Sequence, residues 1–105
     1  MGHVILIEDI AGMRRREGID DADLRADIRG LAVGDLVRLT LRAGPSPAGE
    51  TLVVRITEIG PGGFRGALAG RPASKHLAAL GVGFAVAFTA DHIHSLVAGR
   101  SAHGR

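Results

Sequence analysis

The sequence predicts a small, mainly β domain of α+β type, a five-stranded barrel with one short N-terminal helix. Three observations predict it. Residues 36–42 and 52–57 set apolar side chains at every second position, which is the period of a strand with one face buried. Glycine and proline clusters at 43–50, 60–63 and 70–72 break the apolar runs at short intervals, as antiparallel turns do. A helical period appears once, in Leu24, Ile28 and Leu31.

Taken in order, residues 4–7 form a short strand that is apolar on both faces, and so either central or covered. Residues 10–19 read as a glycine-punctuated connection carrying Arg14, Arg15 and Arg16. Asp20 and Asp21 stand where an N-cap belongs, and the helix they open closes near Gly30. Its acidic first turn suits the positive end of the helix dipole. Val37, Leu39 and Leu41 then face inward while Arg38, Thr40 and Arg42 face out. Leu52, Val54 and Ile56 repeat the pattern, and Gly60-Pro61-Gly62-Gly63 turns the chain into Phe64, Gly66 and Leu68, a hairpin. A last strand carries Phe84, Val86 and Phe88. All three phenylalanines fall on the expected core face. Asp91 is placed to cap a short turn in which Ile93 and Leu96 meet the core. An internal echo links residues 31–40, LAVGDLVRLT, to 80–89, LGVGFAVAFT, and reads as one glycine turn used twice to lead into a strand.

The chain of 105 residues is long enough for one core and too short for two. Residues 1–97 are read as a single domain and 98–105 as a disordered tail. With 46% hydrophobic and 23% charged residues, the composition excludes wholesale disorder and fibrous classes. No cysteine is present, so disulfides, thiolate catalysis and Cys-type metal sites are excluded and a reducing, cytoplasmic setting is expected. The first ten residues lack the basic segment of a signal peptide. The longest apolar stretch, 77–90, is 14 residues broken by glycines, too short for a membrane-spanning helix. Charge is uneven along the chain: residues 1–35 hold eight acids against five arginines, and residues 36–105 hold eight bases against three acids.

The pieces Val33-Gly34-Asp35, the hairpin over 54–68, the strand over 83–86 and His92-Ile93 resemble SH3-like and Tudor-like barrels. They are similar to an uncharacterised bacterial family of such small domains, over roughly residues 31–97. The tryptophan such hairpins often carry is missing, and Gly70-Arg71-Pro72 stands where an Asn-Asp-Pro-like turn belongs. The resemblance implies an SH3-like fold and no activity.

Four arginines carry the clearest candidate surface. Arg38, Arg42, Arg55 and Arg65 occupy outward positions of three strands, a pattern suited to anions or to the phosphates of a nucleic acid bound without sequence preference. Tyrosine and tryptophan are absent and the phenylalanines are assigned to the core, which disfavours base stacking, proline-rich grooves and methyl-lysine cages. His92 and His94 form an H-x-H pair, a weak metal motif; on a strand the rings share a face, in a helical turn they diverge. The Gly60–Gly63 turn lacks the lysine of a phosphate loop, and no serine sits in a nucleophile elbow. Expected is therefore a non-catalytic binding or protein-interaction module without cofactor, with nucleic-acid binding as the second reading. Self-association is expected as well, because the apolar strand at 4–7 requires a partner.

Overall fold

The computed structural model describes residues 4–44 and 48–97. The expected tail at 98–105 and Ser46 in the proline loop lie outside the described residues. Six strands form one antiparallel sheet that curls into a nearly closed barrel: β1 (Ile5–Ile7), β2 (Leu36–Ala43), β3 (Glu50–Gly60), β4 (Gly63–Leu68), β5 (Ala85–Phe88) and β6 (Ile93–Leu96). They are joined in the order β1-β2-β3-β4-β5, and β6 returns to pair with β2. Two short helices, α1 (Ile10–Arg16) and α2 (Ala22–Arg29), lie between β1 and β2, and 3-10 turns occupy Lys75–Leu77 and Ala90–His92.

The alternation read from sequence becomes the barrel wall. Val37, Leu39, Leu41, Val54 and Ile56 are at most 1% exposed, and with Leu68 and Ile93 they fill the interior. Leu24, Ile28 and Leu31 cover one side of it from α2 and the chain that follows.

The echoed segments fold alike. Gly34 and Gly83 both have positive φ, +98° and +93°, a conformation that glycine adopts at little cost. In each case a carbonyl accepts from the amide three residues on (Ala32 from Asp35, Gly81 from Phe84, both 3.0 Å), and the glycine amide donates to a neighbouring strand (Ile56 or Leu68, both 2.8 Å). These are the bonds of a turn with glycine at its third position. The carboxylate of Asp35 also accepts from the amide of Ala32 at 2.9 Å, tightening the first of them.

Four expectations are corrected. A second helix, α1, replaces the connection: Asp9 accepts the amide of Gly12 at 2.9 Å as its N-cap, and Ile10 plunges inward, 7% exposed. Ile93–Leu96 is a strand, not part of a turn. The turn before it is capped by Thr89, whose amide donates to Nδ1 of His92 at 2.9 Å, with Asp91 inside its first turn. The strand expected at residues 4–7 is an edge strand with Val4 and Leu6 exposed. It finds its partner within the chain, Ile5 opposite Ala43 and Ile7 opposite Leu41, which removes that reason for self-association.

Candidate functional site

A fifth correction opens a site. Of the three phenylalanines only Phe88 is buried, at 3%; Phe64 is half-buried and Phe84 is 38% exposed. Phe84 lies just before β5, and among the described residues β5 pairs with β4 alone, so no further strand flanks this corner of the sheet. Phe64 and Phe88 stand directly opposite each other across the β4–β5 ladder, and their rings stack with centroids 5.2 Å apart and planes 12° from parallel. Aromatic pairs directly opposed on adjacent strands are within reach of each other, and stacking adds to what their burial contributes.

This pair borders a cleft of about 370 Å³ at the end of the barrel. Gly60, Gly62 and Gly63 of the β3–β4 turn line it, together with Thr89 and His92. Glu58 and Arg65 line it as well, both largely exposed, with Nε of Arg65 3.9 Å from the carboxylate of Glu58. Because Nδ1 of His92 accepts the Thr89 amide, the neutral ring carries its proton on Nε2, a donor available to a ligand.

Beside the cleft runs a free sheet edge. The amide of Leu68 donates to the carbonyl of Phe84, so the ladder's bonded pairs continue at Gly66–Val86 and Phe64–Phe88. The amides and carbonyls of Ala85 and Ala87 consequently turn away from β4, and no strand among the described residues meets them. Ala87 and Phe88 belong to both features, since each also lines the cleft.

The four expected arginines do not form one free surface. Arg38 donates through one terminal nitrogen to Ser95 Oγ at 3.2 Å and the carbonyl of Leu96 at 3.0 Å. Arg42 pairs with Glu8 at 3.0 Å and donates to the carbonyl of Gly44 at 2.9 Å. Arg55 is exposed, at 3.5 Å from the carbonyl of Gly34, and Arg65 stands at the cleft. The two histidines also part. His92 belongs to the 3-10 turn and the cleft, while His94 lies on β6 with Nδ1 2.9 Å from Ser95 Oγ. Partial burial, then the charges of Arg14 and Arg38, hold the His94 imidazole below its ordinary pKa. Among the described residues, no three His, Asp or Glu side chains are grouped to hold a metal ion. No helix among them is long and apolar enough to cross a membrane.

Comparison with protein-family models, with curated proteins and with solved structures gives no match to this chain. The sequence missed the cleft because its floor depends on which strand ends the sheet, a non-local property. The signal within reach was the hairpin glycines beside Phe64.

Proposed function

We propose that the protein is a non-catalytic binding module of SH3-like architecture, which takes a short extended segment of another protein along β5 and into the adjoining cleft. The five-stranded path, the 3-10 turn after β5 and the return of β6 to β2 support the SH3-like reading. One observation carries the function: the unpaired edge at Ala85 and Ala87 is continuous with the Phe64–Phe88 cleft. An added strand gains main-chain bonds from such an edge, and side-chain pockets beside it give selectivity. The rim favours a peptide over a polyanion, because Glu58 and Arg65 present opposite charges. Sequence-nonspecific nucleic-acid binding, the second reading, draws on a weaker surface, since Arg38 and Arg42 are engaged within the fold.

Random peptides displayed on phage and panned on the immobilised protein test this. Selected peptides are expected to shift the amide resonances of residues 60–65 and 85–89. Ala87→Pro should abolish their binding while keeping the fold, because that amide serves no internal ladder bond. The charge reversal Arg65→Glu is a second variant that leaves the barrel wall untouched. Failure to select any peptide, or shifts confined to another face, would overturn the proposal. Retention of single-stranded RNA that falls steeply with salt and depends on Arg55 and Arg65 would install the nucleic-acid reading instead.

A further inference from the structure

A second constellation forms where α1, β2 and β6 meet, and none of its members lines the cleft. Its origin is a bulge. Arg38 pairs with Ser95 and the next residue, Leu39, pairs with Ile93, so His94 is an extra residue on β6. A bulge sets two residues against one and re-aims a side chain that regular alternation would send elsewhere. Here it leaves Ile93 buried in the core and brings consecutive residues to one guanidinium: Arg38 donates to Ser95 Oγ, and Ser95 Oγ bonds Nδ1 of His94. Arg14, in the last turn of α1, reaches the same place and donates to the carbonyl of His94 at 3.1 Å. All four residues are half-buried.

Among the described residues no acid pairs with this cluster. The ion pairs found among the described residues are Asp21–Arg25, Glu8–Arg42 and Glu58–Arg65, and none involves Arg14 or Arg38. On α2, Leu24 and Ile28 face the core, Arg25 and Arg29 line a separate crevice with Asp21 and Asp91, and neither Asp23 nor Asp27 forms an ion pair with Arg14 or Arg38. A guanidinium has five N–H donors, of which Arg14 is seen to use one nitrogen and Arg38 one. Two half-buried cations without a counter-ion are costly, and a bound anion relieves that cost.

We infer that Arg14, Arg38, His94 and Ser95 form a binding site for a phosphate monoester, inorganic phosphate being its simplest member. Planar guanidinium forks match phosphate oxygens, and a hydroxyl and an imidazole complete a donor set for a group with three terminal oxygens and nearly two negative charges. A carboxylate offers two oxygens and one charge. The bound anion favours the imidazolium form of His94, so the ring takes up a proton as the ligand binds.

The test is a titration of the whole chain with inorganic phosphate, followed through the ring resonances of His94. Saturable shifts are expected, together with a rise in the His94 pKa when phosphate is bound. Arg14→Gln should weaken binding by about tenfold, the loss expected for one charged hydrogen bond. Arg15→Gln, an exposed neighbour on the same turn, should leave it unchanged. Phosphoserine should compete with phosphate, whereas dimethyl phosphate, a singly charged diester, should compete poorly. His94 resonances that fail to saturate, or equal weakening by the Arg14 and Arg15 variants, would overturn the inference. Amides of residues 60–65 and 85–89 should not move, so this site and the peptide cleft succeed or fail independently.

Discussion

Gly66 has no room for a methyl group. A Cβ there would lie 2.5 Å from Cγ1 of Val54 and 2.7 Å from the carbonyl oxygen of Arg55, the latter a backbone atom that cannot swing aside. Gly66→Ala should therefore cost about 2 kcal/mol, within the usual range for overpacking, and urea denaturation would measure it. At Gly70 nothing lies within 4 Å of the added carbon, so Gly70→Ala should be close to neutral. The same scale shows where residue patterns inform and where they stop. Alternation identified Val37, Leu39 and Ile56 as core because each sits on a strand with neighbours on both sides. It failed for Phe84, which has the right parity but sits in the turn just before an edge strand, where parity no longer guarantees cover.

At the scale of elements, the bulged β2–β6 ladder joins the two ends of the barrel sequence, and Arg38 fastens it through Ser95 and the Leu96 carbonyl. Arg38→Ala is expected to lower stability by about 1–2 kcal/mol, whereas Arg55→Ala, removing an exposed side chain, should change it by less than about 0.5 kcal/mol. Thermal unfolding of the two variants side by side decides whether the outward arginines are equivalent. His94 on the same strand gives the fold a pH dependence of definite sign. Its folded pKa is lowered by desolvation and by Arg14 and Arg38, so below the ordinary imidazole value of 6.5 the unfolded chain takes up the proton first. Stability from this group is complete above that pH and falls as the solution is acidified, until the folded pKa is passed. Denaturation in phosphate-free buffer should show the decline between neutral and mildly acidic pH, and His94→Gln should remove its share. The elements hidden from sequence were the short ones. The seven residues of α1 include Gly12 and depend on the Asp9 cap, and β6 is four residues held by its partner strand. The glycine turns at 34 and 83 were legible, because their geometry is local and leaves the same residues at the same offsets.

For the whole molecule, the decisive fact is that the sheet curls far enough to bury one core yet, among the described residues, leaves β5 unpaired on its outer side. β1 and β6, each paired with β2 alone among the described residues, are edges too, and the edge beside the cleft is a strand of four residues, short enough to limit aggregation. Charge composition did not reveal this. It located arginines on outward positions, but half of those meet partners supplied by segments distant in sequence: Ser95 and Leu96 for Arg38, Glu8 for Arg42. Native-state hydrogen exchange reads the consequence amide by amide. Val86, bonded to Gly66, should be protected nearly as long as neighbouring barrel amides, while Ala85 and Ala87 on either side of it should exchange rapidly. Alternating protection of that kind is the signature of an edge that is free in solution. Protection at all three positions would mean that something already covers β5, a second copy of the chain being the simplest occupant. The peptide-binding role proposed for that edge would then have to be abandoned, because the main-chain groups it relies on would already be spent.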